Sequence, residues 1–379
     1  MSQSLRIRRV VGQLATLPLA CPLVTSWGRV EERRILLITC ELECLESGRI
    51  IAGYGEAAPL PGWTKESVEE CMSAVGGVDF ATKLCVVDRL DSRLEAFADL
   101  PSLRFGLEVA ILDAMARADR VTLRHLLASQ FGTGEPCHEL AVQATFGVSD
   151  LDSTCELVES AVADGATAVK LKVGKSSISE DLERVLAVRD RCPKVAIRLD
   201  ANGAWSREDA RAFLDEAAPL RLDLVEQPVA ADDVEGLLAL ARDGSAPIAV
   251  DEGLYCGDER RQSAPRMARC LVDEGIDALV LKPMALGGLV ASKKLADYAE
   301  KKGVTVVWST LLESAVGRRA IAQLAAALPG MEGPHGLATG AWFEVDSAPE
   351  PDLIEGGRLR LNDRPGIGFI PRLELLGSP

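Results

Sequence analysis

In the first sixty residues apolar and polar positions alternate, which is the period of a half-buried strand. Residues 5–60 read as strands joined by turns, with "RILLITCELEC" (34–44) and "IIAGYGEAAPL" (50–60) on either side of the turn signal "ESGR". Over residues 64–130 the apolar positions move to helical spacing, clearest in "LEVAILDAMARADRVTLRHLL". "QFGTGEPCHE" (130–139) supplies Gly and Pro and reads as a linker. Beyond it eight short β-rich runs follow one another: "LAVQATFG" (140–147), "ATAVKLKVG" (166–174), "VAIRLDAN" (195–202), "LDLVEQP" (222–228), "IAVDEG" (248–253), "ALVLKP" (278–283), "VTVVWST" (304–310) and "GLATGAWF" (336–343). Seven helical segments separate them. "SREDARAFLDEAA", for example, opens with a Ser cap and an acidic first turn. Strand and helix alternating at this pitch predict parallel βαβ units, and eight of them predict a closed α/β barrel. An open doubly wound sheet is the alternative, but no GxGxxG follows an early strand. The expected organisation is an α+β segment over 1–132, a barrel over 138–345, and a Pro- and Gly-rich segment, 346–379, that returns to the front domain.

Composition narrows the function classes. The chain has 379 residues, 47% of them hydrophobic and 26% charged, an ordinary globular balance able to bury a sizeable core. A net charge of −15 argues against nucleic acid or an anionic membrane as partner. No apolar run approaches the roughly 20 residues that span a bilayer. The N-terminal stretch is broken by Gln13 and Pro18 and alternates like a strand, so it is read as fold and not as a signal peptide. Ten cysteines without CxxC pairs point to a reduced, cytoplasmic protein. With only three histidines, a three-histidine zinc site is not expected. The sequence leaves a homo-oligomer open.

Polar residues gather at the C-terminal ends of successive runs, the end that carries catalysis in barrel enzymes. "AVKLKVG" (168–174) puts Lys170 and Lys172 on one strand face. Alone, such a pair reads as an exposed sheet face. Its neighbours change that reading. The next three runs end with Asp200 and Asn202, then Glu226 and Gln227, then Asp251 and Glu252, and the one after with Lys282. Adjacent strands lie about 4.8 Å apart. Three bare carboxylates that close would repel, and one would stay protonated. A hard divalent cation resolves this, and oxygen ligands without His or Cys suit Mg²⁺, with Mn²⁺ also accommodated. Taken singly, each carboxylate reads as solvated or paired with a lysine. In an eight-stranded barrel Lys172 and Lys282 face each other across the pocket. The charge of Lys170 and partial burial are expected to lower the pKa of Lys172, making it a usable base. The metal would stabilise the enediolate left when a proton leaves the carbon next to a substrate carboxylate.

The motifs "KLKVG", "RLDANGAW", "VEQP", "VDEG" and "LVLKP", in this order and at this spacing, resemble the enolase superfamily in its muconate-cycloisomerase-like branch. The resemblance covers essentially the whole chain and includes a front segment, "GYGEAAPLPGWTKES" (53–67), like that branch's capping domain. It implies a (β/α)₇β TIM-like barrel with an α+β capping domain. It also implies Mg²⁺ on Asp200, Glu226 and Asp251, Lys172 as base on one face, Lys282 as cation on the other, and Lys170 tuning Lys172. Asn202 and Glu252 would stand near the metal. Within the branch, "APLPGWTKES" and "HGLATGAWF" look most like the o-succinylbenzoate synthases. The implied activity is Mg²⁺-dependent syn-dehydration of 2-succinyl-6-hydroxy-2,4-cyclohexadiene-1-carboxylate in menaquinone biosynthesis. The alternatives are an N-acylamino acid racemase or dipeptide epimerase, and, more remotely, a non-catalytic binding relative. Dipeptide epimerases usually carry Asp-x-Asp where this chain has Ala338, Thr339 and Gly340, which disfavours an ammonium substrate. One departure is "DEG" where many relatives have "DES".

Other residues are weighed against plainer roles. Trp63 either closes over the substrate or anchors its loop. Ser309, Thr310 and Glu313 are candidates for shaping the substrate pocket, although the anionic Glu313 suits bracing the loop better than touching a carboxylate. His335 reads as a structural histidine. Gly53 and Gly55 read as serving the turn into the cap loop.

Overall fold

A computed structural model describes residues 4–25, 28–61, 63–75, 83–84, 90, 92–255, 263–331, 333–372 and 374. The early alternation becomes three antiparallel strands, β1 (Leu5–Thr25), β2 (Gly28–Cys44) and β3 (Ile50–Ala57). With the short β4 (Lys83–Leu84) they form a sheet of order β3-β2-β1-β4. From Ile38 to the end of β2 every other residue is buried: Ile38, Cys40, Leu42 and Cys44. This apolar face packs on the helix Pro101–Asp119, which is buried on nearly all sides. Here Gly53 and Gly55 do not serve a turn. Both lie inside β3, where the strand backbone meets the helix backbone directly. A Cβ on Gly55 would stand 1.9 Å from the Gly106 carbonyl oxygen, and one on Gly53 would stand 2.2 Å from the Ala114 nitrogen.

After β5 (Glu139–Ala141) come seven parallel strands: β6 (Ala144–Phe146), β7 (Ala168–Lys172), β8 (Ala196–Asp200), β9 (Leu224–Glu226), β10 (Ile248–Val250), β11 (Ala278–Leu281) and β12 (Thr305–Trp308). They are neighbours in chain order, as short βαβ connections favour. The first four intervening helices begin at side-chain caps. Asp150, Ser177, Ser206 and Asp233 each accept a hydrogen bond from a backbone N–H of the first turn, and Ser177 completes a capping box with Glu180. Strand interiors such as Val169, Leu171, Ile197, Leu199 and Val225 are buried, as expected for a parallel sheet covered on both faces.

The eighth run does not become a strand among the described residues. Instead His335 forms a parallel bridge with Val142 and Gly336 one with Ser309, so this segment lies between the end of β12 and the chain entering β6. A 3₁₀ turn, Gly340–Trp342, follows. Residue 340 is tucked against Arg318: a Cβ there would lie 2.9 Å from the guanidinium Nη2. The C-terminal segment adds β13 (Leu353–Glu355) and β14 (Arg358–Arg360), and β14 pairs with β13 on one side and β5 on the other in a three-stranded sheet. Farther on, Ile367 N donates to Asp113 on the front helix at 2.7 Å. Among the described residues no helix is long and apolar enough to cross a membrane.

Candidate active site

The parallel register fixes where the polar strand ends meet. Lys172 lies opposite Asp200, and Asp200 opposite Glu226. Ala249 lies opposite Glu226, so Asp251 follows just beyond the end of β10. All three carboxylates are buried, and the three lysines stand among them. Lys170 Nζ is 2.8 Å from Asp200 Oδ2 and 3.1 Å from both oxygens of Glu226. Lys172 Nζ shares Asp200 Oδ2 at 2.6 Å and donates to Asn202 Oδ1 at 2.7 Å. At the other end of the row, Lys282 Nζ contacts both oxygens of Asp251, at 2.5 and 2.6 Å. Lys172 is the most open of the three, with its side chain 32% exposed against 11% for Lys170 and 6% for Lys282.

The electrostatics follow from this packing. Burial alone would lower the pKa of Lys170, but Asp200 and Glu226 outweigh it and hold the ammonium above its ordinary value. Burial would raise Asp200, but Lys170 and Lys172 keep its carboxyl well below the usual range. Lys170 is therefore bound to carboxylates, and one of their oxygens, Asp200 Oδ2, it shares with Lys172.

The family model "Enolase C-terminal domain-like" matches residues 153–375. The chain belongs to the enolase superfamily. It is 29% identical over 379 residues to a hydrophobic dipeptide epimerase from Citrifermentans bemidjiense, covering 98% of this chain and 100% of that one. It is 29% identical to an N-succinylamino acid racemase from Thermus thermophilus, covering 98% of each. Its fold matches that of a dipeptide epimerase from Enterococcus faecalis, solved with Mg and the dipeptide L-Leu-L-Tyr, at a TM-score of 0.80 and 24% identity over 96% of this chain and 99% of that one.

Enolase-superfamily chemistry calls for a divalent cation, and the donor set here suits one. Asp200, Glu226 and Asp251 are all oxygen donors, as a hard ion prefers. Beside them Glu252 accepts from Asn202 Nδ2 at 2.7 Å through one oxygen, while its other oxygen is shut off from solvent and has no hydrogen-bond partner. A buried oxygen in that state is a costly arrangement unless a cation is available to it. Among the described residues no three acidic, His or Cys side chains already converge on one point. The ammonium groups divide the carboxylates into two sets, Asp200 and Glu226 on Lys170, and Asp251 on Lys282.

Of the remaining candidates, Trp63 stands over the site. Its ring centroid is 3.6 Å from Lys282 Nζ, and the ring leans on Tyr255 at 5.9 Å. The Tyr255 hydroxyl in turn accepts from Lys282 N at 2.8 Å. The cap loop that carries Trp63 is tied down by Arg33, which donates to Ala58 O, Pro59 O and Leu312 O. Ala58 N also donates to Met284 Sδ at 3.3 Å, two residues after Lys282 in the chain. Ser309 makes the bridge to Gly336, and the Thr310 hydroxyl lies 3.1 Å from that of Thr339. Glu313 is fully buried, and its carboxylate accepts from Leu311 N at 2.6 Å, which makes it a brace of the loop after β12. His335 is buried between Trp308 N and Met331 O. A role that sequence reasoning missed belongs to Gln227. With φ of +41° at the end of β9, it accepts from Asp251 N and Gly253 N through one amide oxygen and so positions the loop carrying Asp251. The only sequence signal for it was its place in "VEQP", between Glu226 and a proline.

Proposed function

We propose that this enolase-superfamily member is a Mg²⁺-dependent racemase or epimerase that moves the α-proton of an amino acid derivative carrying a free carboxylate. The observation that carries the reading is the pair of lysines at the two ends of one carboxylate row, Lys172 on Asp200 and Lys282 on Asp251. A 1,1-proton transfer needs a proton-transfer group on each face of one carbon. In the forward direction neutral Lys172 takes the α-proton on its face, and the Lys282 ammonium returns a proton on the other. Proton exchange with solvent then returns each lysine to its starting state, so no proton is gained or lost overall. Asp200, Glu226 and Asp251 would hold Mg²⁺, with Glu252 beside them. When bound, the ion supplies positive charge against the negative charge that grows on the substrate carboxylate. Lys170 stays charged and holds Asp200 and Glu226 together.

Charge also narrows the substrate. With Lys172 neutral, as its role of base requires, Lys170, Lys282 and one divalent cation would balance the four carboxylates, leaving no surplus negative charge against a single substrate carboxylate. At the ends of β12 and the closing segment, Thr310 and Thr339 present hydroxyls, which suit a neutral amide better than an ammonium. We therefore favour N-acylamino acids, with dipeptides next. The relatives, an epimerase and a racemase, support this class over the dehydration expected from the sequence. A second reading keeps that dehydration. Lys282, held by Asp251 and covered by Trp63, also fits the fixed cation that a one-base syn-elimination uses.

The test is one preparation with Mg²⁺, assayed on N-succinylamino acids, dipeptides and the cyclohexadiene carboxylate. Racemisation or epimerisation with the highest kcat/KM is expected. Dehydration faster than either would transfer the assignment to the synthase reading.

A further inference from the structure

Two buried side chains on the helix Ile178–Arg191 reach back to the chain on either side of Val173, immediately after Lys172. Asp181, fully buried, accepts from Gly174 N at 2.6 Å. Arg184, 3% exposed, donates from Nη2 to the Lys172 carbonyl at 2.9 Å and to Asp181 Oδ1 at 2.5 Å. The remaining backbone contact of this turn is Val173 N to the Asp200 carbonyl at 3.0 Å. Gly174 has a φ of +83° and is pressed against Ala204, so the turn has little room to relax. A buried ion pair is weak evidence for stability, because desolvation offsets much of its attraction. This pair spends its hydrogen bonds on the exit of one strand, the strand that carries the proposed base. No comparable side-chain bond is seen from this pair to the Lys282 end of the site.

We propose that Asp181 and Arg184 are positioning residues for Lys172: they fix the backbone on both sides of Val173 and so aim the Lys172 side chain at the substrate. The inference rests on the proton-transfer reading above. An error of about 1 Å in placing a reacting group can cost on the order of 10²-fold in rate. Loss of the pair should therefore slow the half-reaction begun by Lys172 and leave that begun by Lys282 in place.

The experiment follows wash-in of solvent deuterium at the α-carbon of each enantiomer of N-succinylphenylalanine by NMR, with Mg²⁺ present. Lys172→Ala and Lys282→Ala identify which enantiomer each lysine serves. Arg184→Lys keeps a positive partner for Asp181 while losing the planar fork. The double variant Asp181→Asn with Arg184→Met leaves no buried charge and guards against a simple folding failure. The expected result in both is a fall of about 10- to 100-fold in exchange of the Lys172 enantiomer, with the other enantiomer within about threefold of wild type and Arg184→Lys the milder of the two. Equal loss for both enantiomers, or loss for neither, would overturn the proposal. If the wild type exchanges neither enantiomer, the proton-transfer reading fails by itself. The positioning role is then judged from labelling of Lys172 by an amine-directed acylating reagent. A several-fold change in the variants, with exposed Lys175 unchanged, supports it, and unchanged Lys172 labelling overturns it.

Discussion

Replacing Glu313 by Gln should change how stability depends on pH, and the size of the effect follows from its surroundings. The Glu313 carboxyl is fully buried, and one of its oxygens accepts from Leu311 N while the other has no hydrogen-bond partner. Arg33 is close enough to attract it, yet Arg33 spends its hydrogen bonds on backbone carbonyls. Burial wins, and the nearby Glu56 adds to it, so the Glu313 pKa rises from 4.5 to about 7. Below pH 4.5 the carboxyl is protonated whether the chain is folded or not, and the folded state keeps its full stability. Between pH 4.5 and 7 the unfolded chain gives up this proton first, so stability falls as pH rises; above 7 the loss is complete. At 1.36 kcal/mol per unit, the total is about 3 kcal/mol. Glu313→Gln keeps an acceptor for Leu311 N and removes the titration. Urea unfolding of wild type and variant should be followed at pH 4.5, 6 and 8 with metal held constant. The variant should gain about 3 kcal/mol on the wild type between the first pH and the last. Groups such as Asp113 titrate in both proteins and largely cancel in the difference. Parallel stability curves would refute the reasoning and would mean that water or a rearranged Arg33 satisfies the carboxylate.

Three other outcomes are expected. Exhaustive chelation should abolish turnover, and Mg²⁺ should restore it while raising the Tm of the wild type but not of Asp200→Asn; full activity in chelator would remove the metal from the mechanism. Trp63→Leu should lower kcat/KM by several-fold to about 30-fold through loss of the ring over Lys282, with Trp63→Phe in between; equal values for all three proteins would make Trp63 merely a loop anchor. Gly55→Ala should cost at least about 2–3 kcal/mol, since its methyl group would press on backbone, the Gly106 carbonyl and the Ala110 nitrogen; a thermal melt within 1 °C of wild type would contradict the packing described for β3.

Much of the site was legible because it depends on local spacing and strand register. In a parallel sheet the pairing of Lys172 with Asp200 and Asp200 with Glu226 follows once the runs are aligned. The choice of partner for each ammonium was not legible, because it depends on where side chains settle after the strands have paired. Lys170 was expected to act on Lys172; its bonds to Asp200, shared with Lys172, and to Glu226 carried no sequence signal. Arg33 gave no signal at all: it is one polar residue in an early strand, and its partners near residues 58 and 312 are brought to it by tertiary packing alone. The run "GLATGAWF" has the composition of a strand, but residue 340 lies on the Arg318 guanidinium and the chain turns there, leaving two bridges where a strand was expected. Gly53 and Gly55 were read as turn glycines because sequence shows the freedom of a glycine and not what presses against it.

The contact of β3 with the helix Pro101–Asp119 behaves like a machined datum. Most packed layers contain side chains that can rotate, shrink or be exchanged, so two elements can drift relative to one another as residues are replaced. At Gly53, Gly55 and Gly106 the peptide units themselves touch, and no substitution on one side can be compensated by trimming the other. The chain leaves β3 at Ala57 and reaches Trp63 six residues later. The reach of that loop over Lys282 is thus measured from a fixed mark: its buried start, Ala58 to Leu60, stays indexed to the rest of the molecule, and change in shape and chemistry is left to the more open positions, Pro61 and Trp63.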